Sequence, residues 1–153
     1  MVFLIRVQTE ITIKRPIECC FDAARDLDLH TRTVWNHTQE KIVSANEGLI
    51  GPGEIVTFEA THFFVRQRLT SKVIDFEPPY TFTDQMQQGA FRSLIHIHEF
   101  EVLHQNETSM RDTLHFEAPY GWMGRLAERF ILQSYMKNFL EYRNKQLKKM
   151  LES

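Results

Sequence analysis

A long amphipathic segment near the end of the chain, residues 121–151, constrains the fold more than any other feature. It contains no proline, and its apolar residues recur at helical spacing, so that they share one side of a helix. At ~1.5 Å per residue, such a helix is roughly 45 Å long. A rod of this length needs a broad apolar surface to lie on, and we expect the preceding strands to supply it. The apolar stripe comprises Leu132, Met136, Phe139, Leu140, Leu147, Met150 and Leu151.

Alternation of apolar and polar residues predicts strands over most of the remaining chain. The first strand covers residues 3–14, and its inward side starts with Phe3 and Ile5. Pro16 then breaks the alternation and suits the first turn of a helix, and Asp26 suits the start of a second short helix over residues 27–34. Further strands are predicted at residues 40–45, 54–62, 65–76, 80–86, 94–102 and 110–116, with a hairpin turn at Asn106 and Glu107 before the last of them.

This order of elements predicts an antiparallel meander, because short connections join consecutive strands. Only the C-terminal helix is long enough to cover the resulting sheet. We therefore expect one α+β domain over residues 1–153, in which a curved antiparallel sheet of about seven strands wraps around that helix. Arg66, Arg68 and Lys72 share one side of a strand, and we expect them to form a solvated basic surface at an edge of the sheet.

Charge and cysteine content exclude several classes of protein. The net charge is −2 and no basic residues are concentrated on one face, so nucleic acid is not an expected partner. The short apolar run at the start is interrupted by Arg6, which argues against a signal peptide or a stable membrane insertion. Cys19 and Cys20 are adjacent and therefore do not pair with each other, which favours a reducing, cytoplasmic location.

Several short segments, taken in their order along the chain, carry a resemblance to a known family. They are residues 13–17 with Phe21 and Asp26, then Trp35 after the paired short helices, then residues 74–82 around the Pro78-Pro79 turn. In this order they resemble the START / birch-pollen-allergen / polyketide-cyclase superfamily (SRPBCC), which has a helix-grip fold. The resemblance implies a cavity between the sheet and the long helix that holds an apolar ligand, and it implies no reaction and no metal or other cofactor.

A narrower resemblance involves a His-x-His-x-Phe strand and the residues before it. This pattern is similar to a bacterial subgroup often labelled cell-division-inhibitor-like, in some members of which the domain is joined to a nucleotide-sugar epimerase-like domain. That partner domain is absent from this sequence. The residues concerned are Asp84, Gly89, Phe91, His96, His98 and Phe100.

Five ionisable side chains fall on inward-facing positions of the predicted strands. An apolar interior tolerates such groups only when they pair or contact water, and pairing of Asp with His across neighbouring strands is the simplest solution. The group is either a buried network that sets strand register, a polar anchor for a ligand, or an acid and base pair. A zinc site with Asp84 or Asp112 as third ligand is conceivable, but we expect none. The five are His62, Asp84, His96, His98 and Asp112.

Aromatic residues near the predicted cavity have two interpretations. Trp35 and His37 lie where the resembling fold has its cavity mouth, so Trp35 is either a gate residue or part of the core, and the same holds for Tyr120 and Trp122. We assign no catalytic residue, no metal and no cofactor. The predicted ligand-binding residues are Trp35, Phe58, His62, Phe82, Asp84, His96, His98, Phe100, Asp112, Phe116, Met136 and Leu140.

Three functions are compatible with these observations. The first is binding or carriage of a hydrophobic small molecule, such as a lipid or polyketide-like compound, which predicts a cavity of a few hundred Å³. The second is an enzyme of cyclase or dehydratase type, in which His96 or His98 acts as base and an aspartate orients it. The third is a protein-interaction module with an unknown partner, which predicts an exposed apolar patch and no sizeable cavity. We expect the first.

Overall fold

The computed structural model describes residues 4–118 and 126–153, so Phe3, Tyr120, Trp122 and the first residues of the predicted C-terminal helix lie outside the described residues. The described residues form seven strands, three α-helices and one short 3₁₀ helix. In chain order these are β1 (Leu4–Ile13), α1 (Ile17–Ala24), α2 (Leu27–Thr33), the 3₁₀ helix (Asn36–Thr38), β2 (Lys41–Ile42), β3 (Ile55–His62), β4 (Val65–Glu77), β5 (Thr81–Gln88), β6 (Ser93–His104), β7 (Glu107–Glu117) and α3 (Leu126–Glu152).

The seven strands form one antiparallel sheet in the order β1-β7-β6-β5-β4-β3-β2. Consecutive strands from β2 to β7 are neighbours, and β1 joins the far side by pairing with β7 from Leu4 opposite Glu117 to Ile13 opposite Thr108. Register shifts between β4 and β5, near Ser71 and Val73, bend the sheet, because an extra residue on one strand locally increases its twist. The predicted α+β helix-grip fold is confirmed.

The two short helices follow from local sequence. Pro16 directly precedes α1. Proline is well suited to the start of a helix, because the backbone N–H that it lacks would have no hydrogen-bond partner within the helix. Asp26 caps α2, and its carboxylate accepts hydrogen bonds from the backbone N–H groups of Asp28 and Leu29 at 3.0 and 3.3 Å. Phe21 on α1 packs edge-on against Phe82 and Phe100 of the sheet and thereby closes one end of the core.

Helix α3 lies over the concave side of the sheet with the predicted stripe facing inward. Leu132, Leu140 and Leu147 are buried on it. Leu132 and Leu140 belong to one apolar cluster with Leu94 and Leu114, whereas Leu147 belongs to a second cluster around Phe21. No helix among the described residues is both long enough and apolar enough to cross a membrane.

Two strand predictions need correction. The predicted strand over residues 40–45 is reduced to Lys41–Ile42, because the Ser44 hydroxyl accepts the hydrogen bond of Thr57 N–H at 3.0 Å and replaces a backbone partner. The basic residues of β4 lie at a sheet edge only in part: Lys72 pairs with both β3 and β5, whereas the pairing with β5 ends at Thr70 and leaves Arg66 and Arg68 paired with β3 alone. Arg66 and Arg68 both form ion pairs with Glu59.

One hairpin turn is displaced by a residue from its predicted position, and another has an unusual backbone conformation. Strands β6 and β7 pair up to His104 opposite Glu107, so the turn is Gln105-Asn106 and Glu107 belongs to β7. The turn between β3 and β4 consists of Phe63 and Phe64, which both have positive φ values of 52° and 65°. Such values favour Gly or Asn, and Phe64 is fully exposed, so this turn is held in a conformation that its side chains do not favour.

Candidate functional site

A cavity of about 440 Å³ lies between the sheet and α3. Strands β3 to β6 supply one wall, with Val56, Leu69 and Leu94 among the lining residues, and Leu132 and Met136 of α3 line the opposite side. Its lining is largely apolar, and its volume lies in the range of about 300–1,000 Å³ found for small-molecule sites. A protein-interaction module was predicted to have no sizeable cavity, so this volume counts against that hypothesis.

Eight of the twelve predicted ligand-binding residues line the cavity, and four do not. Phe100 packs against Phe21 in the core, and Phe116 packs edge-on against Phe91. Asp112 is buried beneath the cavity-lining histidines, and Trp35 contacts Phe139, which does line the cavity. The eight that line it are Phe58, His62, Phe82, Asp84, His96, His98, Met136 and Leu140.

Asp–His pairs form across neighbouring strands, as the alternation predicted. His96 Nε2 is 2.7 Å from Oδ1 of Asp112 on β7, and His98 Nε2 is 3.0 Å from Oδ2 of Asp84 on β5. The second nitrogen of His98, Nδ1, is 3.2 Å from the same Asp112 oxygen. Both pairs run diagonally, because His98 lies directly opposite Asp112 and His96 directly opposite Asp84 in the ladder.

The two histidine rings are held rigidly within this network. They stack on each other with centroids 3.7 Å apart, and His98 also stacks on Phe82 at 4.0 Å. Behind them, Asn144 of α3 donates from Nδ2 to Oδ2 of Asp112 at 2.8 Å and to the Thr9 hydroxyl at 3.2 Å. The network therefore links β5, β6, β7 and β1 to the helix, and its open side faces the cavity.

The pKa values of the two histidines move in opposite directions. Burial and the charge of neighbouring His98 lower the pKa of His96, and these effects outweigh its hydrogen bond to Asp112. Burial also opposes protonation of His98, but hydrogen bonds to Asp112 and Asp84 outweigh burial and raise its pKa. The same bonds hold the pKa of Asp112 well below its usual range and lower that of Asp84, although burial alone would raise both. A proton in this network therefore resides preferentially on His98.

This arrangement leaves one imidazole nitrogen available to the cavity. Nε2 of His96 is used by Asp112, and no described residue makes a hydrogen bond to Nδ1 of the same ring. Asp84, His96 and His98 each offer a donor atom, and the three donor atoms lie within 4.8 Å of one another. Chemically the site can therefore accept a hydrogen bond or proton at His96, donate one from His98, or coordinate a cation.

A second polar group, which sequence reasoning missed, lines the same cavity. His30 Nε2 pairs with Oε1 of buried Glu40 at 3.2 Å, and Arg143 lies nearby on α3. Burial would raise the pKa of Glu40, but the charge and hydrogen bond of His30 outweigh it, and the charge of Arg143 lowers the pKa further. Arg143 Nε and Glu40 Oε2 are buried and have no hydrogen-bond partner among the described residues. The sequence signal that could have indicated this group is the presence of polar residues between Leu140 and Leu147 within the apolar stripe of the helix.

Aromatic side chains form the remaining wall, near the end of β3. His62 Nδ1 is 2.6 Å from the Tyr135 hydroxyl, and burial lowers the pKa of His62 and raises that of Tyr135. Both directions favour the neutral forms, in which the phenol donates to the ring nitrogen. Trp35 packs edge-on against Tyr135 at 5.3 Å and stacks on exposed His37 at 5.2 Å. It therefore supports residues of the wall from outside the lining.

Solved structures with the same fold match nearly the whole chain. A START superfamily protein from Mycobacterium smegmatis superposes with a TM-score of 0.75, covering 96% of this chain and 97% of its own at 14% sequence identity. This chain has the START-like helix-grip fold. A Thermus thermophilus protein also gives a TM-score of 0.75, with coverage of 95% and 96% and 19% identity.

A plant protein extends the likeness at lower sequence identity. The major latex-like protein 151 of Panax ginseng gives a TM-score of 0.67, with coverage of 97% of each chain and 8% identity. At sequence identities this low, the comparisons support the START-like fold but not membership of the cell-division-inhibitor-like subgroup. No protein-family model and no curated protein matches the sequence.

Proposed function

We propose that this protein binds a hydrophobic small molecule, of the lipid or polyketide-like kind, in the cavity between the sheet and α3. The observation that carries the proposal is a largely apolar volume of about 440 Å³ with polar groups at a few places. Well-packed interiors leave few voids larger than a water molecule, so a volume of this size calls for an occupant. The START-like fold of the chain is consistent with this class of ligand.

The polar groups define what the ligand carries besides its apolar body. Asp84 and His96 face the cavity and accept hydrogen bonds, and Arg143 supplies a buried positive charge in the same lining. A ligand with one hydroxyl or carboxyl group matches this arrangement, because a buried polar side chain left unpaired costs free energy. Met136 and Leu140 of α3 would contact its apolar part.

The direct test is native mass spectrometry of the purified protein, followed by organic extraction of whatever is bound. We expect a co-purifying molecule of a few hundred daltons that is released by solvent and carries a hydroxyl or carboxyl group. For protein that elutes empty, a fluorescent fatty acid titrated into the solution tests the same cavity. The absence of both a bound molecule and saturable binding of the fatty acid would contradict the proposal.

A cavity-filling variant localises the binding. Ala60 is buried on β3 and lines the cavity, so Ala60→Phe places a ring in the volume that the ligand occupies. Ala45→Phe introduces the same side chain at an exposed position outside the lining and is the matched control. We expect Ala60→Phe to weaken binding of the fluorescent fatty acid at least ~10-fold and the control to bind normally. Equal binding by both variants would place the ligand elsewhere.

The His96–Asp112 pair supports a second candidate function, an enzyme of cyclase or dehydratase type. The two groups are 2.7 Å apart, His96 faces the cavity, and burial keeps its ring neutral, which a general base requires. A β-hydroxyacyl thioester is a suitable probe, because dehydration would raise absorbance as the conjugated product forms. If His96 is the general base, His96→Gln abolishes turnover while the substrate still binds. Lack of turnover of such probes by the wild-type protein would contradict the enzymatic function and leave ligand binding as the remaining candidate.

A further inference from the structure

The cavity-facing part of the histidine network has the composition of a metal site. We propose that Asp84, His96 and His98 bind a divalent transition-metal ion at the cavity wall. Their donor atoms lie within 4.8 Å of one another, and all three side chains line the cavity. This inference departs from the expectation of no metal drawn from the sequence, and it does not depend on which apolar molecule the cavity holds.

The hydrogen bonds of Asp112 select which nitrogens face the metal. One oxygen of Asp112 contacts His96 Nε2 at 2.7 Å and His98 Nδ1 at 3.2 Å, so it accepts from both N–H groups at once. His96 Nδ1 then has a free lone pair, and the ion takes the place of the proton that His98 Nε2 donates to Asp84. A carboxylate behind a metal-bound histidine is the usual means of setting the tautomer and orienting the ring.

One pair of donor atoms already lies close to the spacing of two ligands on a single ion. His98 Nε2 and Asp84 Oδ2 are 3.0 Å apart. Two ligands at about 2.0–2.1 Å from a tetrahedral ion lie about 3.3 Å from each other, so a small outward shift of Asp84 admits the ion. The planes of the two stacked imidazoles are 25° apart, so binding also requires the rings to rotate until both lone pairs point at the ion, while the Asn144 bond keeps Asp112 in place.

Charge balance supports the same assignment. Asp84 and Asp112 bring two negative charges into a largely apolar interior, and a divalent cation that displaces the proton of His98 neutralises both. Two imidazoles and one carboxylate are ligands that suit Zn²⁺ and Fe²⁺, and three protein ligands leave a coordination position open. That position faces the cavity, where water or the polar end of a ligand can occupy it.

The test uses untagged protein treated with a chelator and then dialysed, titrated with Zn²⁺ by calorimetry and with Co²⁺ by visible absorption. We expect saturation at one ion per chain and Co²⁺ bands of a four- or five-coordinate site. His96→Ala and Asp84→Asn should abolish the saturable phase. His104→Ala removes an exposed histidine from the same strand and should bind as the wild type does. Absence of 1:1 binding by the wild type, or unchanged binding by His96→Ala, overturns the proposal.

Asp112→Asn separates a metal site from an ordinary polar network. It removes no proposed ligand, so the 1:1 stoichiometry should persist while the affinity falls about 10- to 100-fold. If Asp112→Asn binds one ion per chain with the affinity of the wild type, Asp112 does not orient the histidine ligands. Should a variant fail to fold, as judged by circular dichroism, Co²⁺-induced broadening of histidine ring signals in the wild type decides alone. Broadening of the His96 and His98 signals, with His104 unaffected, supports the site, and the reverse pattern overturns it.

Binding of the fluorescent fatty acid, measured in parallel in the presence of chelator, reports the apolar cavity independently. Saturable fatty-acid binding by the wild-type protein without 1:1 metal binding would overturn the metal site alone, and the converse result would overturn the apolar-ligand proposal alone. Metal coordination and general-base catalysis by His96 exclude each other at the same nitrogen, because a metal-bound lone pair cannot accept a proton. A turnover assay that survives saturation with Zn²⁺ would therefore overturn the role of His96 as a ligand.

Discussion

Replacement of Asp112 by Asn tests whether the buried network contributes to stability, and it is the sharpest perturbation that the structure offers. The residue is 1% exposed, and its carboxylate contacts His96, His98 and Asn144. Asn has the same shape but no charge, so His98 keeps only Asp84 as an anionic partner. Removing one member of a buried ion pair costs about 3–5 kcal/mol, and the retained hydrogen-bonding capacity of Asn places the expected loss near about 3 kcal/mol.

Urea unfolding at pH 7 in chelator-containing buffer measures this loss. With a slope of about 2 kcal/mol per M, a loss of about 3 kcal/mol lowers the midpoint by about 1.5 M. Asp75→Asn is the matched control, because Asp75 is exposed on β4, and its midpoint should stay within about 0.3 M of the wild type. A shift in Asp112→Asn no larger than that of the control would refute the energetic role assigned to the network.

The pH dependence of the difference between wild type and Asp112→Asn has two expected edges. The folded pKa of Asp112 is depressed, so its contribution is present above the unfolded value of about 4 and is lost as pH falls through the folded pKa. The folded pKa of His98 is raised, so its contribution is complete below about 6.5 and is lost as pH rises through the folded pKa. The advantage of the wild type should therefore be greatest between about pH 4 and 6.5, and a pH-independent difference would contradict this account.

Three further predictions concern stability. Asn144→Leu leaves Oδ2 of Asp112 without its donor and should cost about 1–3 kcal/mol, which urea unfolding measures; a neutral or stabilising effect would contradict it. Phe82→Ala removes a fully buried ring that packs on His98 and Phe21 and should cost about 3–5 kcal/mol by the same assay, whereas Tyr80→Ala, at an exposed position, should change stability by less than about 0.5 kcal/mol. Phe64→Gly relieves a positive φ in an exposed turn and should stabilise by about 1 kcal/mol, visible as a higher Tm, and a lower Tm would show that the Phe64 ring makes stabilising contacts.

The sequence was sufficient to predict which side chains face inward, because strand alternation depends only on residue spacing. His96 and His98 share a face on β6, and Asp84 and Asp112 lie on the strands at either side. It was not sufficient to predict which histidine pairs with which aspartate. The observed pairs are diagonal, and a diagonal contact depends on register and rotamer, which spacing alone does not determine.

The inward face of a sheet holds both the packed core and the cavity, and alternation does not separate them. Phe100 and Phe116 face inward as predicted, but Phe21 and Phe91 cover them, so they do not line the cavity. That difference depends on where α1 and the segment after β5 pack against the sheet, and these packing contacts join residues that are distant in sequence. The buried polar groups of α3 were missed for the same reason. The hydrogen-bond acceptors of Asn144 are Thr9 on β1 and Asp112 on β7, and both are distant from it in sequence.

The exposures within the network show how its parts divide their roles. The side chains of His98 and Asp112 are 4% and 2% exposed, whereas those of His96 and Asp84 are 12% and 23% exposed. The last two line the cavity, so their accessible surface opens toward an occupant. Buried ion pairs are often no more stabilising than apolar residues of similar volume, so stability alone gives little reason to retain four ionisable groups here. A network whose sealed half orients two side chains toward the cavity is better explained by what those side chains bind.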